Sequence, residues 1–351
     1  MTTEQAFNLN CPLPIGQYEH ATLAHGGGGR LMQQLLERLI RPAFDNRWLD
    51  QRHDSTVLDI GGSRLAFTTD GYVVKPLFFP GGDIGKLAVC GTLNDLAMSG
   101  AKPLFLSASL IIEEGFPFAD LQRILHSMGE TARAAGVAIV TGDTKVVENG
   151  KGDGLYIVTS GIGSIEHRMT IGPSSIAAGD DILVTGDIGR HGVAIISERE
   201  GLRFETSIAS DCADLSGLVA ELLAAGCELH CLRDLTRGGL ASAVLELARD
   251  AQLSVELDEA AIPVLPQVSA ACEMLGFDPL YVANEGQMTL FVPPPETERV
   301  LALLHQHSLG RRAAKIGSVT SHGEARVELR NAFGIKRVLD LLSGEQLPRI
   351  C

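Results

Sequence analysis

Ile84-Gly-Lys-Leu-Ala-Val-Cys-Gly-Thr-Leu-Asn-Asp-Leu-Ala-Met-Ser99 is small or apolar at nearly every position and reads as a helix. Leu87, Gly91 and Asp95 stand four residues apart and share one helical face, with small or apolar Ala88, Thr92 and Ala97 beside them. A carboxylate on such a face is costly unless a cation or hydrogen-bond donors meet it. The stretch therefore sets a central helix and marks Asp95 as a candidate site residue.

Outward from it, residues 104–112 read as a strand and 120–135 as a helix. That helix carries Leu121, Ile124, Leu125, Met128 and Ala132 on one face, and Gly136 stops it. Residues 137–141 and 155–161 read as further strands. On the other side, 56–60 and 65–74 form a hairpin around Gly61-Gly62. Helices and strands alternate without strict βαβ regularity, which implies an α+β layer with a mixed sheet. Upstream, His25 and four glycines, Gly26 to Gly29, precede a short amphipathic helix with Leu31, Leu35 and Leu39, ended by Pro42. The glycines suit a phosphate-binding loop or a hinge equally well. They do not make a P-loop, because its Gly-Lys-Ser/Thr ending is missing.

Residues 165–179 are polar and rich in Gly, Pro and Ser, so the domain boundary falls there. The second half restarts with a strand at 181–185 and a loop at 186–192. Helices follow at 214–225, 239–250 and 296–307, with strands at 253–257, 280–283, 287–292 and 314–319. The division is a loose leader (1–20), a domain (21–165), a second α/β domain (178–335) and a C-terminal tail (336–351).

At 351 residues the chain exceeds one ordinary core, and its 45% hydrophobic and 5% aromatic content is that of a globular protein. A net charge of −14 argues against nucleic acid or an anionic membrane as partner. Seven scattered cysteines, with Cys227 and Cys231 as a CxxxC lacking a matching pair, fit reduced thiols rather than structural zinc. The expected location is the cytoplasm, since no signal peptide or membrane span is legible.

Asp54, Asp70, Asp95, Asp143 and Asp234 lie at strand and helix ends in small or apolar settings. Each alone is more readily a helix cap, turn former or solvated charge than a ligand. Together, and without His/Cys ligand sets, they favour magnesium bridging carboxylates to phosphate. Lys145 is either a point charge for a triphosphate or a surface lysine. Glu285 sits in what reads as a turn between two apolar strands, and His25 and His191 flank glycines. The tail Leu347-Pro-Arg-Ile-Cys351 ends on a thiol after a proline that resists helix or central strand. It is either an inert end or a nucleophile on an arm able to visit two sites.

Read in succession, these motifs carry a resemblance. His25-Gly-Gly-Gly-Gly, Phe67-Thr-Thr-Asp70, Pro76-Leu-Phe-Phe-Pro-Gly-Gly-Asp-Ile-Gly85, Asn94-Asp95, Thr141-Gly-Asp-Thr-Lys145, Asp234-Leu-Thr-Arg-Gly-Gly239, Asn284-Glu-Gly286 and Pro348-Arg-Ile-Cys351 occur in that order. The order is similar to that of the HypE family of hydrogenase maturation proteins, in the aminoimidazole ribonucleotide synthetase-like (PurM-like) superfamily. The resemblance implies two PurM-like domains, the first pairing with a second copy into a homodimer, and a mobile tail. It implies ATP-dependent dehydration of an S-carbamoyl group on Cys351 to S-cyanide, with Glu285 and Lys145 in the reaction. ATP would meet Gly27, Gly28, Gly29, Asn94, Asp143, Thr144 and Lys145, and Mg2+ would meet Asp54, Asp70, Asp95 and Asp234. The implied partners are a HypF-type carbamoyltransferase and a HypC–HypD scaffold. His53-Asp54-Ser55-Thr56 departs from the family's more frequent Asp-Asp-Ala-Ala, and the leader has no counterpart. The alternatives are a superfamily synthetase phosphorylating a free substrate, of the selenophosphate or aminoimidazole ribonucleotide type, and a nucleotide-regulated binding module.

Overall fold

The computed structural model describes residues 20–202, 208–322, 325–344 and 349–351. The leader read at 1–20 lies outside these except for His20, as do residues 345–348 of the tail. α1 (Arg30–Leu35) runs through a π-helical turn, Leu36–Ile40, into α2 (Arg41–Ala43). Of its three spaced leucines only Leu31 is buried, and Leu39 is exposed, so the amphipathic reading holds for the first turn alone.

β1 (Thr56–Ile60) and β2 (Ser63–Tyr72) form the expected antiparallel hairpin, with Ile60 opposite Ser63 across Gly61-Gly62. A two-residue pair, β3 (Phe78–Phe79) and β4 (Gly82–Asp83), leads into α3 (Ile84–Met98). Asp83 caps α3, its side chain accepting from the N–H of Gly85 at 2.7 Å and of Lys86 at 3.1 Å. β5 (Lys102–Glu113), α4 (Phe118–Ala134), β6 (Ala138–Val147) and β7 (Leu155–Ser164) complete the first domain. Its mixed sheet has the order β1-β2-β7-β5-β6, with only β5 and β6 parallel. One face is covered by α3 and α4. On the other, Ile162 lies between its cross-strand partners Phe67 and Phe105, and all three are exposed.

The second domain holds β8 (Asp181–Val184), α5 (Arg190–Arg199), α6 (Ser216–Ala224), β9 (Cys231–Asp234), α7 (Gly239–Ala251), β10 (Leu253–Asp258), α8 (Pro266–Leu275), β11 (Met288–Val292), α9 (Thr297–Gln306), β12 (Ala314–His322), β13 (Val327–Arg330) and β14 (Lys336–Val338). Its sheet order is β14-β13-β10-β12-β8-β11-β9. The strand expected at 280–283 is instead a 3-10 turn, Pro279–Tyr281, because Asp278 accepts from the N–H of Leu280 at 3.0 Å and closes the chain locally. The glycine loop at 186–192 also differs from expectation, since α5 begins inside it at Arg190.

α3 ties the domains together. Ile84, Leu87 and Leu93 belong to a core cluster that also takes Ile195, Cys212, Ala283 and Ile350 from the second domain and tail. Ala97 and Met98 enter another cluster with Leu183, Leu215 and Leu290. Each fully buried leucine contributes about 1.5–3 kcal/mol, so this helix holds the domain junction. No described helix is long and apolar enough to cross a membrane.

Candidate active site

At that junction the carboxylates converge, each from a different element. Asp54 precedes β1, Asp70 lies near the end of β2, Asp95 is on α3, Asp234 ends β9, and Glu285 comes just before β11. All five line one cavity of about 220 Å³, together with Tyr72, Arg233, Arg237 and Cys351. One ligand oxygen each from Asp54, Asp95 and Asp234 lies within 4.8 Å of the others. Gly91 makes room for this arrangement: a Cβ there would strike the Tyr72 hydroxyl, which donates to Asp70 Oδ2 at 3.1 Å.

Protein donors only partly satisfy these acids. Asp95 Oδ2 accepts from Thr68 Oγ1 at 2.6 Å, and Asp54 Oδ1 meets Arg233 Nε at 3.0 Å. Oδ2 of Asp54, Oδ2 of Asp234 and Oε1 of Glu285 are buried with no hydrogen-bond partner. Burial, reinforced by neighbouring carboxylates, pushes Asp95, Asp234 and Glu285 well above the usual carboxylate range. Asp70 is raised by burial and partly held down by Arg237. Clustered carboxylate oxygens, some without donors and with no His or Cys among them, fit a hard divalent cation.

Cys351 reaches the same cavity. The N–H of Val73 donates to Cys351 O at 3.1 Å and that of Lys75 to Arg349 O at 3.2 Å, so residues 349–351 run beside residues 73–75, just past the end of β2. Arg349 also pairs with Asp153. Burial pushes the Cys351 thiol up to about 12 despite Arg237 beside it. A second cavity of about 170 Å³, lined by Gly26, Gly27, Arg237, Tyr281 and Ile350, touches Cys351 as well.

The remaining expected residues divide. Gly28 lines the acid cavity; at φ +73° a Cβ would sit 2.9 Å from Arg237 O. The glycine loop is fastened there by Arg237, which donates to Gly26 O at 2.9 Å, and by Ser242, which donates to Gly28 O at 3.2 Å. Gly29 packs against Leu342 O instead. Both ends of the Asn94 amide are engaged, Nδ2 donating to Ala213 O at 3.1 Å and Oδ1 accepting from Leu215 N at 2.8 Å, which makes it a bridge between α3 and the second domain. Asp143, Thr144 and Lys145 are not in the cavity. They stand exposed on β6, the edge strand, with Lys145 Nζ 2.5 Å from Asp143 Oδ2.

Arg233, Arg237 and Tyr72 were not singled out from sequence. Arg237 was within view, three residues after Asp234 in the same motif. Arg233 bridges Asp54 and Glu246 across residues far apart in the chain, for which no local signal exists.

Comparison with known proteins bears on this geometry. The family model for the N-terminal domain of AIR synthase related proteins matches residues 52–165, and that for the C-terminal domain matches 177–330. A Cupriavidus necator protein named carbamoyl dehydratase HypE is 54% identical over 330 residues, 94% of each chain. A crystal structure of hydrogenase maturation protein HypE in complex with ATP superposes with a TM-score of 0.80 at 45% identity, covering 94% of this chain and 99% of that one. A HypE–HypF complex structure matches with a TM-score of 0.84 at 44% identity, covering 88% and 99%.

Proposed function

Because the chain belongs to the carbamoyl dehydratase HypE family of AIR synthase related proteins, we propose that its acid cavity is where a carbamoyl group carried on Cys351 loses its oxygen at the expense of ATP. The activity is that of a carbamoyl dehydratase of hydrogenase maturation, acting with ATP. The observation that carries the assignment of the site is the placement of Cys351 in the same cavity as Glu285 and the aspartates.

The chemistry follows from leaving groups. Converting –S–C(O)NH2 to –S–C≡N expels the amide oxygen, and hydroxide leaves poorly, its conjugate acid having a pKa of about 15.7. The carbonyl oxygen attacks the terminal phosphorus of ATP and ADP departs. The C–O bond then breaks with oxygen leaving as phosphate, whose second pKa is about 6. Two protons leave the nitrogen: Glu285 is the group placed to accept one, and the departing phosphate carries the other away as hydrogen phosphate. Glu285 lines the cavity, its Oε1 has no hydrogen-bond partner, and burial raises its basicity. Arg237 lies against Cys351 and balances charge at the sulfur end. Asp54, Asp95 and Asp234, with Asp70 beside them, would hold Mg2+, which supplies charge neutralisation for the transferring phosphoryl group.

Docked in this cavity the free thiol is a poor nucleophile, since its raised pKa keeps it protonated at neutral pH. Loading by a HypF-type carbamoyltransferase therefore belongs to an undocked arm, and dehydration to the docked one. The cyanide would pass to a HypC–HypD scaffold. A second copy of this chain covers the exposed Phe67-Ile162-Phe105 face and the β6 edge as a homodimer, bringing Asp143, Thr144 and Lys145 to the nucleotide. Cys351→Ala should bind ATP with unchanged affinity in calorimetry yet form no S-cyanide. Cyanation by that variant would end the proposal.

A further inference from the structure

The wall that holds the arm belongs to α5. His191, Ile195 and Arg199 follow one another at four-residue spacing along one side of the helix, and each meets the arm. His191 Nε2 donates to Ile350 O at 2.7 Å, Ile195 packs in the same buried cluster as Ile350, and an Arg199 terminal nitrogen donates to Arg349 O at 2.7 Å. Arg199 also holds the carbonyl of Lys75, the residue past β2 whose N–H meets Arg349.

The imidazole is itself positioned. A carbonyl only accepts, so Nε2 carries the proton and Nδ1 accepts from Ser210 Oγ at 2.8 Å. Ser210 Oγ in turn accepts from Cys212 N–H at 3.0 Å. The Phe79 ring stands edge-on to the imidazole, 5.5 Å between centroids at 89°. The side chain is fully buried, and burial lowers its pKa to about 4, so the ring is neutral. His191 lines neither the acid cavity nor the one beyond Cys351. Its single N–H is spent on the backbone next to the sulfur-bearing residue.

We propose that His191 is a positioning residue for the dehydration step: mounted on α5, it latches the Ile350 carbonyl and sets how much of the time Cys351 occupies the acid cavity. This rests on the reading that the arm is loaded undocked and reacts docked. A latch acts on those two steps with opposite sign, because it shifts a population rather than touching the reacting atoms.

His191→Phe keeps a flat ring and loses the donor, whereas His191→Gln places an amide N–H near the position of Nε2. Hydrogen exchange at the Val73 and Lys75 amides reports docking directly. Loading and dehydration are timed separately in single turnovers with the carbamoyltransferase, carbamoyl phosphate and ATP. In His191→Phe, exchange at both amides should quicken about tenfold, as expected for one lost hydrogen bond. Loading, which draws on the undocked arm, should quicken by up to the same factor while dehydration slows by less, and His191→Gln should recover most of both effects. Arg199→Gln, at the exposed end of the same dock, should move all three readouts the same way by less, and it stands in if His191→Phe does not fold. Unchanged exchange, or loading and dehydration slowed alike, would overturn the latch. If wild-type protein exchanges slowly at these amides but never dehydrates, the proposed activity falls while the exchange data still decide the latch.

Discussion

The buried acid cavity and the open edge of β6 carry the same residue types in opposite settings. In the cavity, carboxylates crowd together with orphaned oxygens and raised pKa values. On β6, Asp143 and Lys145 neutralise each other in solvent, and the Asp143 carboxyl is held below its usual value by Lys145 and the Thr144 N–H. The first site is assembled within one chain and is charged at a cost to folding. The second lies open to solvent, outside the acid cavity. Proximity in sequence to a glycine-rich turn looks alike in both places; burial separates them.

Three substitutions would break or sharpen this contrast. Asp234→Asn should reduce ATP-dependent dehydration most, by about 10²–10³-fold as for loss of one preorganised electrostatic group, measured in single turnovers. It should also raise the melting temperature of the metal-free protein, because one of the repelling buried charges is gone. Retained activity would remove Asp234 from the site. Lys145→Ala should slow dehydration by roughly tenfold or more without changing the melting temperature, since the side chain is exposed. A variant that melts earlier would mean Lys145 is structural. Val140→Glu, on the exposed β6 edge, should dissociate the proposed homodimer in sedimentation and lower activity in step with dissociation. A monomeric, fully active variant would contradict the dimer.

The smallest effect concerns pH. The folded pKa values of Asp95, Asp234 and Glu285 are raised, so their favourable contribution is present below the unfolded value of about 4 and lost as pH rises through the folded values. The metal-free protein should therefore lose stability from pH 4 towards neutrality relative to Asp95→Asn/Asp234→Asn. Adding Mg2+ and ATP should close that gap. A gap independent of pH would place the carboxylates in ordinary solvated surroundings.

Much of the fold is legible in local pattern. The hairpin around Gly61-Gly62, α3, α4 and β11 announce themselves through periodicity and turn residues. α5 does not, because Gly189 and Gly192 read as a loop; nor does β9, whose four residues are too short to show alternation. Of the site, the acids were visible as charges in apolar stretches, and Asp95 most clearly, from its helical face. The pairing of Arg233 with Asp54 and of His191 with Ile350 spans about half of the chain, and no spacing rule reaches that far. Asn94 is a nucleotide ligand only by the family resemblance, and its amide is used up joining the two domains.

The central claim is that Cys351 carries its group into the acid cavity and ATP strips the oxygen there. Intact mass of the full chain, incubated with the carbamoyltransferase, carbamoyl phosphate and ATP, tests it most directly. The account predicts gain of one carbamoyl group on the peptide ending in Cys351, then loss of one water only when ATP is present. A carbamoyl adduct that persists with ATP, or a water lost from Cys351→Ala, would contradict it.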